Sequence, residues 1–111
     1  MTRSFDKIVV DIVKLRDYCL SDTHPRGRHK ARVFRSRLGL RAGDAKFLRK
    51  ALFDAARANQ DQLQPTASDR FGRRYLLDFS MTTATGAATI RSSWIVLTGQ
   101  NVLRLTSCYV K

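Results

Sequence analysis

The sequence predicts an α+β domain, with N-terminal helices packed on a C-terminal antiparallel sheet of three to four strands. Three observations predict it. From about residue 11 to 59, apolar residues recur at three- and four-residue spacing; from about 75 to 110 they alternate. Between the two stretches lies a polar segment that includes Pro65. The 111 residues, 43% of them hydrophobic, read as one domain spanning 1–111, long enough to bury a core without disulfides or metal.

Each element has its own signal. Ile8-Val9-Val10 suits a short strand. Asp11 is a good N-cap, and Ile12, Leu15 and Cys19 give helical spacing to about residue 20, before Pro25 forbids a helical predecessor. A second helix over about 28–38 follows Gly27, carries Ala31, Phe34 and Leu38 as its apolar stripe, and stops at Gly39. A third, over about 43–59, has Asp44 in its first turn and turns Leu48, Ala51, Leu52 and Ala55 inward. Residues 60–70 read as a loop. Tyr75, Leu77 and Phe79 then alternate with Leu76, Asp78 and Ser80. Strands at about 88–97 and 102–110 follow short turns, so a three-stranded meander is expected. Ile90, Trp94 and Val96 share one face of the first of these, with Arg91, Ser93 and Ile95 on the other.

Charge narrows the function classes. Lys and Arg total 21 against 9 acids, a net charge of +12, and most of the excess is Arg. Such a charge repels itself in a compact fold, and Arg forks onto phosphate oxygens, so an anionic partner is expected: nucleic acid, an acidic protein or an anionic surface. No stretch approaches the roughly 18 apolar residues of a membrane span. Ile8 to Val13, broken by Asp11, is too short for a signal peptide, so no membrane partner and a cytoplasmic location are expected. Cys19 and Cys108 are read as free buried thiols. The scattered acids, two His and two distant Cys make metal sites improbable, and no nucleotide-cofactor motif is present; no cofactor is expected.

The densest chemistry lies in His24-Pro25-Arg26-Gly27-Arg28-His29-Lys30-Ala31-Arg32. From Thr23 to Ala42 there are seven Lys or Arg, two His and no acid. Basic side chains at a helix N-terminus are a natural phosphate seat, although a solvated basic face reads the same way. Arg26, Arg28, His29, Arg32 and Arg35 are the candidate RNA- or phosphate-binding residues. Metal-free RNA cleavage needs a base for the 2′-OH, cations for the phosphorane-like transition state and an acid for the leaving oxygen. His24 and Lys30 are candidates for those roles; a His that merely caps the turn before Pro25 is the plain alternative. In the strand half, Arg91, Ser107 and Tyr109 complete the candidate catalytic set, with Tyr109 also able to stack on a base.

His24-Pro25-x-Gly27-Arg28-x-Lys30-Ala31-Arg32-x-Phe34, then Arg91-Ser92-x-Trp94 and Arg104-Leu105-x-Ser107-x-Tyr109, resemble an uncharacterised family of small bacterial domains. Members of that family occur alone or at the C-terminal tips of larger secreted proteins. The family is similar to the barnase–EndoU–colicin–RelE group of metal-independent RNase toxins. The resemblance implies helices followed by an antiparallel sheet, and a cleft holding His24, Arg28, Lys30, Arg91, Ser107 and Tyr109. It also implies a toxin held by a small acidic antitoxin or immunity protein. The family's end often reads Thr-x-Tyr-Pro, where this chain has Ser107-Cys108-Tyr109-Val110. Ser keeps the hydroxyl; the missing Pro leaves the last strand less constrained. The leading expectation is a metal-independent endoribonuclease. The rivals are a non-catalytic RNA- or DNA-binding module and a basic subunit of an acidic protein complex.

Overall fold

The computed structural model describes residues 4–111. Strand β1 (Lys7–Val9) leads into helix α1 (Ile12–Lys14), which continues as a π turn over Leu15–Cys19. Helices α2 (Arg28–Leu38) and α3 (Ala45–Ala58) follow, with a 3₁₀ turn over Ala42–Asp44 between them. Another 3₁₀ turn (Gln60–Gln62) precedes β2 (Gln64–Asp69), β3 (Gly72–Thr82), β4 (Ala87–Leu97) and β5 (Val102–Val110). They form one five-stranded sheet in the order β1-β5-β4-β3-β2.

The α+β class stands, with two corrections to its details. The sheet has five strands instead of three to four, and it is mixed, because β1 runs parallel to β5. The helices are also not simply N-terminal, since β1 precedes them. The strand absent from the sequence reading is β2, which lies within the expected loop 60–70. All six of its residues are exposed, so it carries no apolar alternation to read. Backbone pairing with β3 makes it a strand, and Pro65 is tolerated because it sits on the sheet's edge beside a register shift.

The first helix is short for a definite reason. Asp11 accepts the Val13 N–H at 2.9 Å and starts it as expected. After Lys14 the hydrogen bonding slips to i→i+5 spacing, and Leu20 N–H reaches Leu15 O at 2.8 Å. The extra residue in the turn keeps both Leu15 and Cys19 fully buried.

The core lies between the helices and one face of the sheet. Phe34 and Leu38 of α2 and Leu48, Leu52 and Ala56 of α3 are buried. They join one apolar cluster with Leu77, Ile90, Trp94, Leu103 and Leu105 of the sheet. Full burial of a side chain the size of Phe34 stabilises by about 2–3 kcal/mol. Trp94 packs in this core, and its indole N–H donates to Ser92 Oγ at 2.8 Å; that hydroxyl donates to Leu77 O at 2.7 Å. Ser92, the one buried polar residue among those described, is thus satisfied in both directions. Alternation puts Asp78, Arg91 and Ser93 on the opposite face, and the register shift at Ser93/Trp94 turns β5 over after Leu105, so that Ser107 and Tyr109 join them.

Two glycines set how α2 sits. A Cβ at Gly27 would overlap the backbone carbonyl of Tyr18, so Gly alone lets α2 begin against the π turn. Gly39 ends α2 in the left-handed region at φ 69°, and a Cβ there would overlap Thr85 of the β3–β4 turn. Thr83 of that turn donates to Leu38 O at 2.8 Å, closing the helix's C-terminal end.

Candidate functional site

The sheet brings three charged or polar side chains into one row. Asp78, Arg91 and Tyr109 are direct cross-strand neighbours on β3, β4 and β5. Arg91 forks onto Asp78, Nε to Oδ1 and Nη2 to Oδ2, both at 2.9 Å. Lys111 Nζ reaches the same carboxylate at 3.2 Å. The hydrogen bond from Arg91, then that from Lys111, outweighs partial burial and lowers the Asp78 pKa from 3.8 to about 2. Arg91 is in turn held firmly charged, by Asp78 first and also by the Tyr109 hydroxyl.

Helix α2 adds a cation to this row. Lys30 Nζ lies 5.4 Å from the centre of the Tyr109 ring and 5.6 Å from that of Tyr18. Both are within cation–π range, so the ammonium is fixed between a ring of the π turn and a ring of the last strand. Tyr18 in turn meets the His24 ring edge-on, centroids 4.7 Å apart. His24, Tyr18, Lys30, Tyr109, Arg91 and Asp78 therefore form a continuous chain of contacts joining the helical and strand halves.

His24 has a structural task as well. Its Nδ1 accepts the backbone N–H groups of Arg26 and Gly27, both at 3.0 Å, and its carbonyl accepts the Arg28 N–H. The imidazole thus has a capping role, as in the plain alternative, but at the turn after Pro25 that opens α2. Those two bonds commit the Nδ1 lone pair and leave Nε2 to carry the ring proton. In this tautomer the imidazole offers a donor, with no lone pair free to act as a base.

Beneath this row two thiols meet. Cys19 and Cys108 are both free and fully buried. Their mutual hydrogen bond lowers the Cys19 pKa against the effect of burial, with Ser107 and Lys30 adding to it. The same bond and burial raise that of Cys108. Ser107 pairs across the sheet with Ser93, but its Oγ is shielded from solvent and makes no hydrogen bond of standard geometry. Its hydroxyl sits near the Cys19 thiol, a supporting position more than an open one.

The other candidates lie elsewhere. Arg26 and His29 are exposed at the start of α2. At about 100° per residue, Lys30 projects about 200° round the helix from Arg28. Arg28, Arg32 and Arg35 therefore line a separate cavity on the far flank, together with Arg41. The basic motif that reads as one patch is split by α2 into two regions. Sequence reasoning missed Tyr18, Asp78, Lys111 and Arg41 as members of these regions. Strand alternation puts Asp78 and Arg91 on one face once the register is known; Tyr18 and Arg41 carry no such signal.

Among the described residues, no three His, Cys, Asp or Glu side chains gather as metal ligands would. No helix among them is long and apolar enough to cross a membrane.

Comparison with known proteins adds a family and a fold. A family model described as a domain of unknown function, DUF6883, matches residues 2–111. No curated protein matches the chain in sequence. Among solved structures, the chain is similar to one chain of a contact-dependent growth inhibition toxin–immunity protein complex from Klebsiella pneumoniae 342. The TM-score is 0.67 at 17% identity, and the match covers 93% of this chain and 99% of the other. At that identity the likeness is one of fold.

Proposed function

We propose that this chain, which belongs to the DUF6883 family, is a metal-independent endoribonuclease that acts as the toxin of a toxin–immunity or toxin–antitoxin pair. One observation carries the reading: Lys30 of α2 lies 5.4 Å from the centre of the Tyr109 ring, and Arg91 of β4 is the direct cross-strand partner of Tyr109. Two fixed cations beside a phenol suit a phosphodiester whose transition state gathers negative charge on its non-bridging oxygens. Attack of the ribose 2′-OH on phosphorus would break the bond to the 5′-oxygen and leave a cyclic phosphate. Lys30 and Arg91 would stabilise the phosphorane. Tyr109 would give its phenol proton to the departing 5′-oxygen and regain one from solvent, water would take the proton of the attacking 2′-OH, and the Nε2–H of His24 would donate a hydrogen bond to a non-bridging oxygen. Arg91 is oriented for this by its fork onto Asp78.

Two further facts support the toxin part of the reading. The net charge of +12 suits RNA as substrate and a small acidic protein as the inhibitor that masks the same face. The similar fold comes from a toxin–immunity protein complex. The proposed place of action is the cytoplasm, where the RNA is.

The test is cleavage of a labelled oligoribonucleotide by the purified protein in EDTA, read as products with cyclic phosphate ends. Tyr109→Phe and His24→Ala are each expected to lower the rate by about 10²-fold or more. Cleavage that requires a divalent metal, or that survives both substitutions, overturns the proposal. One observation favours a second reading, a non-catalytic nucleic-acid-binding module: His24 Nδ1 is committed to the backbone and is not free to act as a base. That reading predicts salt-sensitive binding of intact RNA without cleavage.

A further inference from the structure

We infer that the cavity on the far flank of α2 binds a nucleotide unit of the RNA, away from the scissile phosphate. This rests on the ribonuclease reading and names a subsite for its substrate. Arg28, Arg32 and Arg35, at i, i+4 and i+7 of α2, share one wall, and Arg41, ahead of the 3₁₀ turn, supplies another. Among the described residues, none of the four guanidinium groups forms an ion pair, although Arg16, Arg74 and Arg91 elsewhere all do. Four like charges around one cavity repel each other, and Asp22 is the one acid among the residues that line it. A bound anion would offset that repulsion.

The shape and lining narrow the anion to a nucleotide. The cavity holds about 400 Å³, room for a base as well as a phosphate. Leu20, Ala31 and Leu40 give it an apolar floor and are themselves buried, so they form a firm surface for the flat face of a base. Asp22 also lines the cavity, without an ion pair among the described residues, and can accept the amino or imino N–H of a base while the arginines fork onto the phosphate. A carboxylate in that position disfavours an acidic polypeptide in the same cavity. Because Lys30 and the arginines project from opposite flanks of α2, a strand occupying both regions must pass over the first turn of the helix, where Arg26 and His29 are exposed.

The experiment is fluorescence anisotropy with a 2′-O-methyl dodecaribonucleotide, which cannot be cleaved, so binding is read whether or not the protein is an enzyme. Arg32→Glu and Arg41→Glu are expected to weaken binding about tenfold or more, against about twofold for Arg57→Glu, an exposed arginine at the end of α3 that serves as the charge control. Arg41→Lys, which keeps the charge but loses the fork, is expected to fall between wild type and Arg41→Glu. Thermal melts check that each variant folds. Losses no larger than that of Arg57→Glu overturn the inference. So does a result in which the cavity variants lose affinity for poly-glutamate but keep it for the oligonucleotide. Failure of the ribonuclease reading would appear separately, as intact RNA in the EDTA assay.

Discussion

On one flank of α2, Lys30 is held between two aromatic rings, and the nearby Arg91 is forked onto a carboxylate. On the other flank, Arg28, Arg32 and Arg35 join Arg41 around a cavity, and none of the four forms an ion pair among the described residues. A single eleven-residue helix therefore presents cations in two states. Those beside Tyr109 are fixed before any ligand arrives, as transition-state stabilisation requires, because a group that must reorganise during the reaction loses most of its effect. Those in the cavity remain free to adapt, which suits ground-state binding of a variable nucleotide. The difference teaches that charge counts alone do not locate chemistry; the partners of each cation do.

The sharpest way to break this contrast is to remove a fixed cation. Lys30→Ala is expected to lower kcat for RNA cleavage by about 10²-fold with little change in KM, measured under single-turnover and steady-state conditions. A loss confined to KM would make Lys30 another binding cation and erase the distinction. Next in size is Gly27→Ala. The added Cβ overlaps the Tyr18 carbonyl, so α2 must shift, and a loss of about 2 kcal/mol in urea denaturation is expected. Both flanks hang on that helix, so oligonucleotide binding should weaken as well.

A smaller effect is expected at Asp78. Asp78→Asn leaves Arg91 without its charged anchor and should lower the cleavage rate several-fold while changing stability by only about 0.5 kcal/mol, since the pair is partly exposed. The pH dependence has a definite sign. The folded Asp78 titrates below its ordinary value, so its contribution to stability is complete above about pH 4 and is lost as pH falls through about 2. Acid denaturation of Asp78→Asn should lack that component. The smallest effect concerns the thiols. Cys19 and Cys108 are fully buried, so alkylation of the native protein should be at least about 10²-fold slower than that of the urea-unfolded chain, followed by mass spectrometry. Rapid native alkylation would show that the layer beneath Lys30 and Tyr109 opens readily, and that the cations above it are not fixed.

Much of the architecture was legible in the residues themselves. The stripe Ala31, Phe34, Leu38 between Gly27 and Gly39 marks α2 at its observed bounds, because helical burial repeats on a period a sequence can display. The alternation through Ile90, Trp94 and Val96 likewise gives the correct buried face of β4. Strand β2 was illegible, because an exposed edge strand is held by backbone hydrogen bonds that leave no mark on side-chain pattern. The basic segment after His24 stood out as a site, but its division did not. Whether Lys30 or Arg28 meets Tyr109 depends on which way the helix is rotated, and on a last strand some eighty residues distant.

Composition and periodicity by themselves determined that this protein is a strongly cationic α+β domain with a buried Trp94 and free thiols. Local pattern encodes burial, and net charge is a sum that needs no coordinates. Only the tertiary structure decided which cations have partners. Pairings such as Arg91 with Asp78, Lys30 with Tyr18 and Tyr109, and His24 Nδ1 with two backbone N–H groups depend on distances of a few ångströms between segments that meet only once the chain has packed.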